Sequence, residues 1–178
     1  MSLNTRLLES IEIVTGWAPG TDINTDAASD WVSLKNYDGC LICIHKAAGT
    51  AGDDMTIAVR QATLVDGTGT KALNISHLYA KVGATALTAI SQFTRYTGTA
   101  IAVLDTVTAF GTDLLSDVGE SLFVVDVRAS DLDVSGGFDC VSVLSEGDDI
   151  GNATLSACWF ILYGARYPSA TPLAAITD

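Results

Sequence analysis

The chain has 178 residues, 48% of them hydrophobic, and nine basic against twenty-one acidic side chains give a formal net charge of −12. That balance disfavours nucleic acid and anionic membrane surfaces, which need clustered Lys and Arg, and the apolar fraction argues against disorder. A single domain over residues 1–178 suits this length, which buries roughly 70% of the unfolded surface.

Only 17% of residues are charged, below the usual share of about 25%. Gly, Ala, Thr, Ser and Asp fill much of the remainder, a mixture suited to short strands and turns. The acid is spread through turn-like stretches at Asp22, Asp26, Asp53, Asp54, Asp148 and Asp149, which reads as a solubility device. Met1–Ser10 has no uninterrupted apolar core, so a signal peptide is not expected. Ile150–Ala165 lacks charge but is too short and too polar to span a bilayer, which takes about 20 residues. Synthesis and folding in a cytosol are therefore expected.

In chain order, the apolar residues Ile11, Ile13 and Val14 predict a first element over Leu7–Val14, an edge strand or an N-terminal arm over residues 1–14. Residues 16–27, with Pro19 and Gly20, read as a long loop. Asp22-x-Asn24-x-Asp26 supplies the first three ligand positions of a calcium loop. However, Ala27 stands where the glycine is needed and Ser33 where the closing Glu is needed. A local Asp/Asn turn is the preferred reading.

Trp31–Leu73 is the expected centre, read as two apolar strand pairs joined by glycine-rich turns. Gly39–Lys46 is a continuous apolar run and Ala47–Asp54 a turn. Met55–Thr63 alternates, with Met55, Ile57, Val59 and Gln61 on one face and Thr56, Ala58 and Arg60 on the other. Asp66–Thr70 reverses the chain, because Gly67 and Gly69 can take positive φ.

Lys71–Lys81 reads as a strand, Ala86–Tyr96 as a strand or short helix, Thr99–Leu104 as a strand and Phe110–Val118 as a loop or helical turn. Three clear strands follow at Ser121–Val127, Phe138–Leu144 and Ala153–Tyr163, separated by turn chemistry at Asp131–Gly137 and Ser145–Asn152. About eight short strands without helix caps predict an all-β fold, a single antiparallel β-sandwich or jelly-roll-like barrel with long loops and extended terminal arms. The C-terminal arm, residues 164–178, carries Pro168 and Pro172 and cannot bury itself alone. Leu173 and Ile176 are apolar enough to dock on another subunit, and a loose end is the alternative.

No local constellation carries catalysis. Cys40 and Cys43 match C-x-x-C, but three residues apart on a strand they face opposite ways. They read, with Cys140 and Cys158, as buried structural residues. His45 and His77 have no sequence-local partner, and the Gly-Asp-Asp stretches at 52–54 and 147–149 and Asp131-x-Asp133 read as turn chemistry. Gly67-Thr-Gly69 lacks the lysine and helix of a phosphate loop. The sequons Asn74-Ile-Ser76 and Asn152-Ala-Thr154 carry no meaning without a secretory signal. Of the tryptophans, Trp159 reads as core and Trp17 as the exposed one. No cofactor and no metal are expected.

Several stretches resemble a family of small virion structural proteins encoded beside the major capsid protein in tailed bacteriophages. They are Asp30–Ile44, Ala47–Val59, Asp66–Leu73, Asp131–Phe138 and Leu162–Pro172, which together lie across most of the chain. The resemblance implies a non-enzymatic head decoration (cement) protein, with head–tail connector or tail components as alternatives and a carbohydrate-binding module as a more distant one. It implies as partners the major capsid protein and further copies of the chain, as a homotrimer, on the virion head surface after assembly in the host cytoplasm. No catalytic residues are carried over. The expected contact residues are Trp17, Ile23, Arg166, Tyr167, Pro168, Pro172, Leu173 and Ile176, in the arms and the first loop.

Overall fold

The computed structural model describes residues 7–49, 55–83, 92–101, 119–147, 153–166 and 175–177. These form eleven strands: β1 (Ile11–Asp22), β2 (Ala27–Ala28), β3 (Val32–Ser33), β4 (Gly39–Lys46), β5 (Met55–Ala62), β6 (Lys71–Ala72), β7 (Ile75–Val82), β8 (Thr94–Ile101), β9 (Ser121–Arg128), β10 (Cys140–Gly147) and β11 (Leu155–Tyr163). Two antiparallel sheets pack face to face. One has the order β1-β11-β4-β9-β7-β8, the other β2-β10-β5-β6 with β3 also on β10.

The pairings are nested: β1 with β11, β2 with β10, β4 with β9, β5 with β6. Such a chain is one long two-stranded ribbon rolled up so that its successive rungs fall alternately in the two sheets. This is a jelly roll, and the β7–β8 hairpin is an insertion that widens the six-stranded sheet beyond β9. The inward residues of both sheets, among them Ile42, Ile44, Phe123, Val125, Phe160 and Leu162 from one and Ile57, Val59, Val141 and Val143 from the other, form one core. Lys46 occupies the last inward position of β4, fully buried, where its Nζ donates to the carbonyls of Ala47 and Gly119 at 3.1 and 3.0 Å.

The all-β sandwich expected from the alternation is present, and the faces of β5 fall as the pattern requires. The connectivity at the centre differs. β4 and β5 are not a pair; they lie in opposite sheets. Alternation fixes which side of a strand is buried, not which strand lies beside it. The second reversal is a true hairpin: Arg60 faces Ala72, Gln61 faces Lys71, and Gly67 and Gly69 take φ of 82° and 74°. The single strand expected over Lys71–Lys81 is two, because the chain leaves the smaller sheet after Ala72 and enters the larger at Ile75.

The expected first loop is also strand. β1 runs to Asp22 along the sheet edge, with irregularities between Thr15 and Trp17 and between Trp17 and Thr21. An edge strand accommodates Pro19, which has no N–H, at such an irregularity. The Asp22–Asp26 stretch is a turn, as its residue types suggest: Asp22 Oδ1 accepts from the Asn24 and Thr154 backbone N–H groups at 3.0 and 2.9 Å. The stretch Ala86–Tyr96 is described from residue 92, with strand from Thr94, and Thr99–Leu104 as far as Ile101. Phe110–Val118 and both Gly-Asp-Asp pairs of carboxylates lie outside the described residues.

Candidate functional site

The outward face of the six-stranded sheet is unusual for a strand layer open to water, which ordinarily alternates apolar inside with polar outside. Paired outward residues run in rows across it. Ile13 lies beside Ile161, then Leu41, then Asp126. Thr15, Trp159, Cys43, Val124, Tyr79 and Arg95 form the next row, and Ala157, His45, Leu122 and Lys81 a third. Ile13 is 50% exposed, while Leu41, Cys43, Leu122, Val124, Trp159 and Ile161 are half-buried. At the border of this face His45 Nε2 lies 2.7 Å from Glu120 Oε1.

At one side of the same face the sheet forks. β7 and β9 are paired from Val82 and Ser121 to Tyr79 and Val124, and there the ladder ends. The reason lies in the connection before β7. Lys71 and Ala72 pair with β5, and the Leu73 N–H donates to the Val59 carbonyl at 2.8 Å, so the start of β7 is held towards the smaller sheet. β9 instead stays on β4 as far as Arg128, which faces Gly39. Between the two strands is a cavity of about 630 Å³, with Leu73, Ile75 and Val127 as apolar lining and Ser76, His77, Tyr79, Arg95, Asp126, Arg128 and Asp131 as polar lining.

Gly39 makes one wall possible. A Cβ there would stand 2.6 Å from both the Val127 carbonyl oxygen and the Tyr163 hydroxyl. Without one, Tyr163 lies across β4 and donates to Asp126 Oδ1 at 2.6 Å. Burial, and then this bond to a carboxylate, hold the Tyr163 phenol above its ordinary pKa, so it remains a donor. Asp131 Oδ2 accepts from the Arg128 backbone N–H at 2.9 Å. On the opposite wall Arg95 Nη2 lies 2.6 Å from His77 Nε2. A guanidinium can only donate, so the imidazole accepts at Nε2 and carries its proton on Nδ1. The ion pairs among the described residues are His45–Glu120 and Lys71–Asp133, so neither Arg95 nor Arg128 has a carboxylate partner there.

The residues expected to contact partners do not gather at one place. Trp17, expected exposed, is 6% exposed, and its Nε1 donates to Ser156 Oγ at 3.3 Å; Ile23 is fully buried. Trp17 is core because β1 continues through the expected loop, and Ile23, one residue past β1, is held there by its N–H on the Thr154 carbonyl at 2.9 Å. Arg166 is exposed, with its N–H on the Asn36 carbonyl at 2.9 Å. Ile176 is 41% exposed, yet its carbonyl accepts from the Ser33 N–H at 3.0 Å and Thr177 bridges Val32, so this end of the tail is bound to its own chain. Tyr167, Pro168, Pro172 and Leu173 lie outside the described residues.

Trp159, expected in the core, points outward and leaves the core position to Phe160. Cys40 and Cys43 face opposite ways as their spacing requires; Cys40, Cys140 and Cys158 are buried, and burial raises all four thiols above their ordinary pKa. The Asp131-x-Asp133 pair is turn chemistry as expected: Asp133 accepts from the Gly136 N–H and the Ser135 hydroxyl. One signal for the outward face was in the sequence. Cys40–Ile44 and Cys158–Leu162 are apolar at every position, and such runs belong to strands covered on both faces.

Comparison with known proteins finds no matching family model, curated protein or solved structure.

Proposed function

We propose that the chain is a non-enzymatic virion structural protein that binds the outside of a phage head and holds neighbouring major capsid protein subunits together. The observation that carries this reading is the apolar outward face of the six-stranded sheet, with Ile13, Ile161, Leu41 and Trp159 along it. A contiguous apolar face on a sheet that already has a core on its other side suits a surface meant to be covered. The jelly roll fits the role as a rigid platform, a use it has in capsid domains, although fold alone assigns no function. The charge of −12 suits an outer shell surface, away from packaged DNA. The sequence resemblance to decoration proteins supplies the partner and the expected trimer at local threefold positions.

The test is to mix purified protein with phage heads that lack it and image them by cryo-electron microscopy. Regular density over the shell, with the apolar sheet face against the capsid and heads that better survive heat, is the expected result. Density confined to the portal vertex would replace this reading with a connector role, and absence of binding would overturn it.

A further inference from the structure

The end of the β7–β9 ladder leaves two strand edges facing one another without pairing. Continuing the register from Tyr79 and Val124 would set His77 opposite Asp126 and Ile75 opposite Arg128. Along an antiparallel strand the main-chain groups point alternately to the two neighbours. The Gly83 N–H donates to the Glu120 carbonyl across this edge, whereas the Ala129 N–H donates to Asp38 on the β4 side. Counting by twos from these bonds, Tyr79 is taken up by Val124 at the end of the ladder, and the main-chain groups of Asp126 and Arg128 on β9, and of His77 on β7, turn towards the gap. The Arg128 N–H is taken by Asp131, and the Asp126 groups face the cavity.

We propose that this fork is an insertion site for an extended segment of a partner polypeptide, with small or apolar side chains pointing in and a carboxylate pointing out. The inserted strand bonds by its main chain to the β9 edge and to the edge of β7, the mode by which open sheet edges capture peptides. Its inward side chains meet Leu73, Ile75 and Val127. Its outward carboxylate meets Arg95 and Arg128. The two aspartates of the cavity keep their charge, but their oxygens already have donors, Tyr163 on Asp126 and the Arg128 main chain on Asp131, which leaves the guanidinium groups as the donors for an incoming carboxylate. In a chain of net charge −12, two of five arginines line this one cavity beside two aspartates, so its formal charge is balanced where most of the surface is acidic. The inference goes beyond the capsid reading and does not depend on it.

The test uses the full chain and a panel of acetylated, amidated hexapeptides in which Glu alternates with Val, Ala or Thr. Binding is followed by amide shifts in proton–nitrogen NMR spectra. Saturable shifts at His77, Asp126 and Arg128 are expected from at least one peptide. Lys in place of Glu, or N-methylation of alternate peptide nitrogens, abolishes them. The double variant Arg95→Gln/Arg128→Gln, both at exposed positions, weakens binding at least about tenfold, since hydrogen bonds to charged groups are the stronger class. Its thermal melt remains that of the parent. Absence of shifts at these amides up to millimolar peptide would overturn the proposal, as would equal binding of the N-methylated peptides. Shifts there with oligosaccharides of a glycan panel, and none with peptides, would assign the cavity to sugar instead.

Discussion

The two sheets share one core, to which the six-stranded sheet gives the larger part, but they differ on their outward faces. On the smaller sheet the outward pairs are Thr56 with Glu146, Ala58 with Leu144 and Arg60 with Ser142, a mixture of small, polar and charged groups of the kind water tolerates. On the larger sheet the outward rows hold Ile13, Ile161, Leu41, Trp159, Cys43, Val124 and Leu122, with Thr15, His45 and Asp126 among them and polar residues towards β7 and β8. Folding needs one apolar face per sheet, and the smaller sheet adds to it only a small outward cluster at one end, where Ala62 and Cys140 pack with Trp31. The second apolar face of the larger sheet is more than a two-layer fold needs, and the proposed capsid contact would use it.

The sharpest way to break this contrast lies in adjacent residues of β11. Phe160→Ala removes a fully buried ring and is expected to cost about 3–5 kcal/mol in urea unfolding. Trp159→Ser, one residue on and outward, is expected to cost about 1–2 kcal/mol while abolishing attachment to phage heads. Equal losses of stability would place Trp159 in the core and remove the outward face from consideration. Gly39→Ala comes next, at about 1–3 kcal/mol for overpacking against the Val127 carbonyl and the Tyr163 ring. Its calorimetric melt should fall while its far-ultraviolet spectrum is retained.

Charges placed on the two outward faces separate them most directly. Leu41→Lys with Ile161→Lys should cost about 1 kcal/mol in stability and reduce head binding at least tenfold in a sedimentation assay. Ala58→Lys, on the smaller sheet, should leave binding unchanged.

The smallest effect expected is in acid. Lys71 Nζ donates to Asp133 Oδ2 at 2.5 Å, and with the Ser135 and Gly136 bonds this lowers the carboxyl from its ordinary 3.8 to about 2. A carboxyl depressed on folding binds its proton more readily in the unfolded chain. Its contribution is complete above pH 3.8 and is lost as pH falls through 2. Asp133→Asn should therefore flatten the fall of the melting temperature between pH 4 and pH 2, and added salt should do part of the same.

What the sequence made legible was local. Alternation in Met55–Thr63 placed a strand and its buried face, apolar runs placed the strands at Ser121–Val127 and Ala153–Tyr163 but not the outward turn of Trp159, and the Asp66–Thr70 glycines placed a hairpin. What it did not make legible was who pairs with whom. Nothing in Gly39–Lys46 says that its neighbours are β9 and β11 and not β5, because pairing is decided by long-range burial and not by local pattern. The same limit hid the fork. Arg95 and His77 meet across the β7–β8 pair, and Arg128 joins them in lining one cavity because the β7–β9 ladder stops at Tyr79. Trp17 was misplaced because Pro19 and Gly20 look like loop residues, and at an irregular sheet edge they need not be.

The nesting of the strands also dictates a timetable for biosynthesis. β1 is made first and finds its partner in β11, and the bridge from Val32 waits for Thr177. The larger sheet therefore cannot close while β11 is still within the ribosome, and the apolar runs of β1 and β4 must stay out of trouble until then. Such late, distant pairings slow folding to milliseconds or longer and lengthen the exposure of sticky intermediates. Yield of native protein should depend on growth temperature and on chaperone supply more steeply than the finished domain's stability alone would suggest.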